Sequence, residues 1–295
     1  MTATVAPPQQ LSTPTAERAP KRRRSGGRHP VAYTVLTVLA LFAVGPFVIM
    51  LFNAFKNNAE IGSSPLAPPT SITFDNFATA WSQGDFSTTM RNSVILVIGA
   101  VLGTCVIAGL GAYALSHLEV PGGGGVLAYL FLGSTMPVQL FVVPLFSLWA
   151  DLHLTDSLFG LMVIYWATDA PFATLMLRSF LIKVPKEFVE AARLDGASEV
   201  QIARKVMLPL AWPGFMTVAL VVGLWAWNEF FWAITFVHDP TKRPISTSFL
   251  SFQDQNSTDW GLTSAAALFM LVPVLLLFIT LQRRFVAGLT SGGLK

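Results

Sequence analysis

Residues 187–198 read EFVEAARLDGAS, a run of charged and small residues set between two long apolar stretches. Val184 and Pro185 just ahead of it supply a helix start, with Pro185 in the first turn and Glu187 and Glu190 near the positive end of the helix dipole. Gly196 suits the left-handed position that follows a helix C-cap. Ser198-x-x-Gln201 then fits a capping box and opens a second helix, which carries Arg204 and Lys205 in its later part and ends before Pro209. Pro213 and Gly214 begin the next apolar run. The spacing predicts a helix–turn–helix elbow over about residues 183–212. Ala191 and Ala192 leave two readings open in equal measure. Their small side chains either let a foreign surface approach the helix backbone or pack the elbow onto the chain's own helices.

The surroundings of the elbow are those of a membrane protein. Of the 295 residues 53% are hydrophobic and only 12% charged, and the mean hydropathy is +0.58. A soluble domain carries about 25% charged residues. Six stretches are long and apolar enough to cross a bilayer as helices, roughly 31–54, 90–115, 126–150, 158–178, 213–237 and 263–282. Pro46, Gly103, Pro137, Pro144, Gly223 and Pro273 lie inside them, as membrane helices tolerate. Gly99 and Gly103 form a GxxxG pair, read as a close-packing face for a neighbouring helix. Cys105 stands alone, and His29, His117, His153 and His238 show no ligand spacing, so neither a disulfide framework nor a metal site is expected.

Charge fixes the expected orientation. With the N-terminus inside, 15 of the 19 Lys and Arg residues fall on cytoplasmic segments: the tail, the 179–212 loop with its flank, and the C-terminus. That satisfies the positive-inside rule, so both termini and the elbow are expected in the cytoplasm. Residues 1–30, with KRRR at 21–24, are expected to be a disordered basic tail that acts as a topology signal rather than a nucleic-acid site. The apolar run from Val31 to Phe55 is too long for a cleaved signal peptide. Residues 31–295 form the six-helix domain, ending in a tail at 283–295.

EAARLDGA with VMLPL at 206–210 resembles the EAA signature of permease subunits of bacterial ABC importers. RNSVILV at 91–97, GAYALSHL at 111–118, MPVQLFVVPLF at 136–146, WAWNEFFWAI at 225–234 and QRRFVAGLTSGGLK at 282–295 resemble the carbohydrate-uptake branch, MalG-type, from about residue 31 onward. The resemblance implies an all-α polytopic type I ABC importer permease with no catalytic residues of its own, in the bacterial cell membrane. It implies a coupling elbow in which Glu190, Ala191, Ala192, Asp195, Gly196, Leu208 and Pro209 match the motif that docks on an ATPase. It also implies partners: a second, distinct permease, a cytoplasmic ATPase dimer, an extracytoplasmic solute-binding protein and a carbohydrate substrate. ATP and Mg belong to the ATPase, since no G-x-x-x-x-G-K-[ST] pattern occurs here and the glycines at 122–125 read as a flexible connector. The outer loops 56–89 and 238–262, polar with aromatic interruptions, are expected by resemblance to meet the binding protein.

Acidic residues inside spans are costly and point to function. Asp169 and Glu229 are two, and Glu229 stands next to Asn228. Carboxylates and amides bond sugar hydroxyls, and aromatic faces stack on sugar rings. On one continuous helix Trp225, Asn228, Glu229 and Trp232 would share a face. The plainer reading is that Glu229 bonds a neighbouring helix while the tryptophans form an interfacial belt, and that Asp169 satisfies a helix broken at Pro171. Two other function classes compete: an ion-coupled secondary transporter using Asp169 and Glu229, and a membrane-embedded enzyme, disfavoured by the lack of a nucleophile, base or metal cluster.

Overall fold

The structure, a computed structural model, describes residues 30–252 and 259–293, with side chains to residue 280. The basic tail and the loop residues 253–258 lie outside the described residues, as do the last two. Among the described residues every regular element is helical. The chain divides after Gly45 into two units. Helix α1, Pro30–Ala54, starts in the first; its residues 30–45 carry only threonine and tyrosine as polar side chains.

Residues 46–295 form the second unit. Two short helices follow the end of α1: α2 (Asn58–Ser63) and α3 (Asp75–Gln83). They organise what the sequence alone presents as a polar loop. Lys56 is fully buried and donates from Nζ to the Ser64 carbonyl at 2.8 Å, and the Asn76 amide donates to the carbonyls of Ala54 at 3.0 Å and Lys56 at 2.7 Å. The Asn58 amide reaches Asp259 at 2.7 Å, tying the two outer loops together.

Helix α4, Phe86–His117, is the spine. It is followed by α5 (Gly123–Thr135), α6 (Val142–Asp151) and α7 (Leu158–Leu181). The close approach of α4 and α7 needs glycine on α4: a Cβ on Gly99 would meet Met162 at 2.4 Å, and one on Gly103 would meet the Trp166 indole at 2.2 Å. Trp166 Nε1 donates to the Gly99 carbonyl at 2.9 Å. The GxxxG pair is therefore a packing face within the chain. Ser157 caps α7 by accepting from the Gly160 N–H. Asp156, at φ 53°, accepts the N–H groups of His238 and Asp239, and those bonds, Asp239's first, hold its carboxyl below the usual value. A Cβ at Gly160 would lie 2.3 Å from the Leu154 carbonyl oxygen, which is backbone and cannot swing away. Gly160→Ala should therefore cost about 1–3 kcal/mol by overpacking. Thermal unfolding in detergent measures this, and an unchanged midpoint would contradict the packing described.

After α7 come α8 (Lys186–Leu194) and α9 (Glu199–Ile202), a π turn over Ala203–Met207, α10 (Leu208–Leu210) and α11 (Trp212–Asn228). The short α12 (Phe231–Phe236) and α13 (Ile245–Ser248) lead to α14, Trp260–Gly293. Helix α14 runs on through most of the stretch expected as a C-terminal tail. It packs on α11, where Trp227 Nε1 donates to the Met270 carbonyl at 3.1 Å. Among the described residues four helices are long and apolar enough to span a bilayer, or up to six if each of two bent pairs is one span. One bent pair, α5 with the stretch Val138–Asp151, is the expected third span; the other joins Glu199–Leu210 to α11, and the expected fifth span is broken separately, between α11 and α12 at Glu229. The breaks between α5 and α6 and between α11 and α12 make the site described below.

Candidate functional site

The elbow forms much as its residues dictate. Pro185 is the N-cap of α8 rather than a first-turn residue. At the other end Gly196 has φ 79°, the Ala197 N–H donates to the Ala192 carbonyl, and the Gly196 N–H donates to the Arg193 carbonyl, each at 3.0 Å. That pair of bonds is a Schellman motif. Ser198 and Gln201 form the capping box reciprocally. One expectation fails. The second helix does not stop before Pro209 but continues to Leu210. Proline lacks the N–H for an ordinary helical bond, and the π turn over Ala203–Met207 absorbs the mismatch. The chain then bends by 80° into α11.

Side chains far from the signature hold the elbow in place. Tyr113 on α4 donates to Glu199 Oε2, while Arg193 Nε donates to Glu199 Oε1 at 2.7 Å. Arg178 Nε donates to the Leu115 carbonyl at 3.1 Å. Val189, Ile202 and Met207 are buried beneath. The two alanines divide the readings between them. Ala192 is half-buried and packs on the core, whereas Ala191 is exposed together with Glu190, Asp195, Gly196 and Pro209; Leu208 is half-buried. Around Ala191 the elbow exposes Leu194 (90%) and Val200 (76%), large apolar residues left largely uncovered by the described residues.

The second feature is a cavity of about 480 Å³. Two helix breaks, between α5 and α6 and between α11 and α12, open onto it. Between α5 and α6 the backbone is extended at Met136 and Pro137 and turns by 88°, with a 3-10 turn at Val138–Phe141 that brings Val138 and Gln139 to the cavity wall. Between α11 and α12 the backbone is extended at Glu229 (ψ 122°), and Asn228, Glu229 and Phe230 line the opposite side. Irregular backbone at membrane depth is tolerated where it is buried in protein or lines a cavity, and discontinuous helices are where transporters bind solute.

All five expected path residues, Asp169, Trp225, Asn228, Glu229 and Trp232, line this cavity, but not as one helical face. The break at Glu229 separates them: Trp225 is exposed, while Trp232 is buried against Phe231 and Phe236. Glu229 caps α12. Its Oε1 accepts the Trp232 N–H at 2.8 Å, and its Oε2 accepts the Ala233 N–H and the Tyr165 hydroxyl, each at 3.0 Å. Asn228 turns its amide onto the Leu224 carbonyl at 2.8 Å. Asp169 differs. It is 8% exposed and has no hydrogen-bond donor or cation as partner among the described residues. Helix α7 passes Pro171 without a break, so Asp169 caps nothing. Tyr165 and Gln139 are cavity residues that sequence reasoning missed. Tyr165 stands one helical turn before Asp169, the only local signal available.

Residues 106–291 match the family described as the binding-protein-dependent transport system inner membrane component. The chain belongs to this family. It is 34% identical over 262 residues to the probable ABC transporter permease protein YurM of Bacillus subtilis, covering 88% of this chain and 87% of that one. It is 35% identical over 259 residues to the diacetylchitobiose uptake system permease protein DasC of Streptomyces coelicolor, covering 88% and 94%. The fold matches a crystal structure of a bacterial ABC transporter involved in import of the acidic polysaccharide alginate, with a TM-score of 0.75 at 24% identity over 87% of this chain and 95% of that chain. This is a membrane-spanning permease of the ABC importer class.

Proposed function

We propose that this permease forms half of the path for a carbohydrate in an ATP-driven importer. It works beside a second, distinct permease, with a cytoplasmic ATPase dimer docked on the elbow and a solute-binding protein delivering substrate on the outside. ATP and Mg act on the ATPase; closure of that dimer drags the docked elbow and rocks the bundle between inward- and outward-facing states. Both termini lie in the cytoplasm, as the distribution of Lys and Arg supports. The substrate reading is supported by the relative DasC, named for a disaccharide.

The observation that carries the reading is the unpartnered, buried Asp169 at a cavity walled by Trp225, Phe231 and Gln139. A carboxylate that the chain leaves unbonded is ready for a sugar hydroxyl. No Lys or Arg lines the cavity, so uncharged or amino-bearing sugars suit it better than anionic ones. The ion-coupled alternative gains no support, because the Glu229 oxygens are already engaged by three donors.

The test is to tag the full-length chain at its N-terminus, extract it in mild detergent and identify what co-purifies by mass spectrometry. An ABC-type ATPase and a second permease are expected. A chain that purifies alone and moves solute in vesicles without ATP would overturn the proposal.

A further inference from the structure

On the side of α11 away from the path lies a second space, an apolar groove of about 410 Å³ between α4, α11 and the elbow. At roughly 100° per residue, its wall residues Trp212, Phe215, Met216 and Ala219 lie on the face of α11 opposite Leu224, Trp225 and Asn228, which line the path cavity, while Ala226 of that lining shares the groove's face further along the helix. Its α4 wall residues Leu102, Val106 and Leu110 are each at least 60% exposed, so the groove is open on the surface of this chain. Along α4 it extends from Val101 to Tyr113, about 18 Å at 1.5 Å per residue. The hydrocarbon core is about 30 Å thick, so the groove has the depth of one leaflet. Its mouth is at the elbow, and the one charged side chain there is Arg204, exposed and without an acidic partner among the described residues, with exposed Lys205 next to it. Trp212, half exposed, stands at the same level, as aromatic residues do at a bilayer interface.

We propose that this groove holds one acyl chain of an anionic phospholipid of the cytoplasmic leaflet, with Arg204 meeting its phosphate. Basic pockets beside membrane helices on the cytoplasmic side recognise such headgroups. Charge complementarity chooses this occupant. A second copy's α1, the most apolar helix of the chain, carries no acidic residue to meet Arg204. Because Val200, Ala203, Met207 and Leu208 form the elbow side of the groove, the lipid wedges the elbow against α4 and α11. The site lies in the elbow region that the proposed function uses for docking, but its lipid occupancy can be measured without any ATPase.

Native mass spectrometry of the full-length chain tests the proposal, with phosphatidylglycerol and phosphatidylcholine of identical acyl chains titrated in turn. Phosphatidylglycerol should be retained at about fivefold lower concentration, the preference expected from one basic residue. Arg204→Gln should abolish the preference while leaving neutral lipid retention as it was, and Ala219→Trp, which fills the groove, should lower retention of both lipids. Equal retention of the two lipids by the wild type overturns the proposal, as does a preference that survives Arg204→Gln. A photo-crosslinker at Val106 that captures another protein chain instead of lipid also overturns it. Co-purification of the ATPase reports on the docking reading separately, so either idea can fail alone.

Discussion

Ala191→Trp is expected to strip the ATPase from the purified importer by about thirtyfold or more while leaving the permease itself folded. Ala191 is exposed, so the larger ring can turn towards solvent rather than into the core. In a docked complex the same ring would hold the partner surface away from the helix backbone. Losing a central contact of that kind costs about 2 kcal/mol or more, or roughly thirtyfold in affinity. The neighbouring position is the control. Ala192 is half-buried and packs on the core, so Ala192→Trp should lower the permease's own unfolding temperature whether or not an ATPase is present. Gly196→Val probes the same turn differently: no atom lies within 4 Å of a Cβ built there, so only the backbone resists. At φ 79° that resistance is about 1–2 kcal/mol. The readouts are ATPase recovered per permease and the unfolding midpoint of the permease alone. If Ala191→Trp keeps its ATPase, the elbow is not the dock.

How much of this was legible in the sequence depends on how local each cause is. The elbow's turn and capping box arise from interactions within five residues, so Gly196, Ser198 and Gln201 could be read directly, whereas which of Ala191 and Ala192 is exposed depends on the packing of Ala192 on the core. The π turn was not legible, because Pro209 reads as a stop and only tertiary packing of Met207 and Ile202 carries the chain past it. Of the two broken spans, one had a signal: Pro137 bars a regular helix where the chain turns by 88°. The other had none. WNEFFW keeps helical spacing with neither Pro nor Gly, and the break follows from Glu229 capping the next helix while Tyr165, 64 residues earlier, donates to the same carboxylate. A helical wheel drawn through that break placed Trp225 and Trp232 on one face, where the structure sets one outward and buries the other. The anchoring of the elbow by Tyr113 through Glu199 was invisible for the same reason, the two being 86 residues apart.

That contrast between local and distant causes separates the two intramembrane carboxylates, which look alike in sequence. Glu229→Ala should damage the protein rather than the transport step alone. It leaves the N–H groups of Trp232 and Ala233 and the Tyr165 hydroxyl without their acceptor. Each orphaned buried polar group costs about 1–3 kcal/mol, so a loss of about 3 kcal/mol or more of stability is expected, read as a lower unfolding temperature and poor recovery from the membrane. Tyr165→Phe, which removes one of the three donors and keeps the cap, should cost less. Asp169→Ala should do the reverse. Among the described residues no donor depends on Asp169, so the variant should fold and unfold as the wild type does. Its effect should fall on uptake in proteoliposomes: a hydrogen bond from a sugar hydroxyl to a carboxylate contributes about 1.5–3 kcal/mol, so transport efficiency should drop about tenfold to a hundredfold. Asp169→Asn keeps an acceptor and should lose less. An Asp169→Ala importer with undiminished uptake would mean that this subunit guides the substrate by its aromatic walls alone. An Asp169→Ala chain that unfolds early would mean that the carboxylate has a structural partner in the assembled importer, and the path would then have to be sought at Gln139 and Asn228.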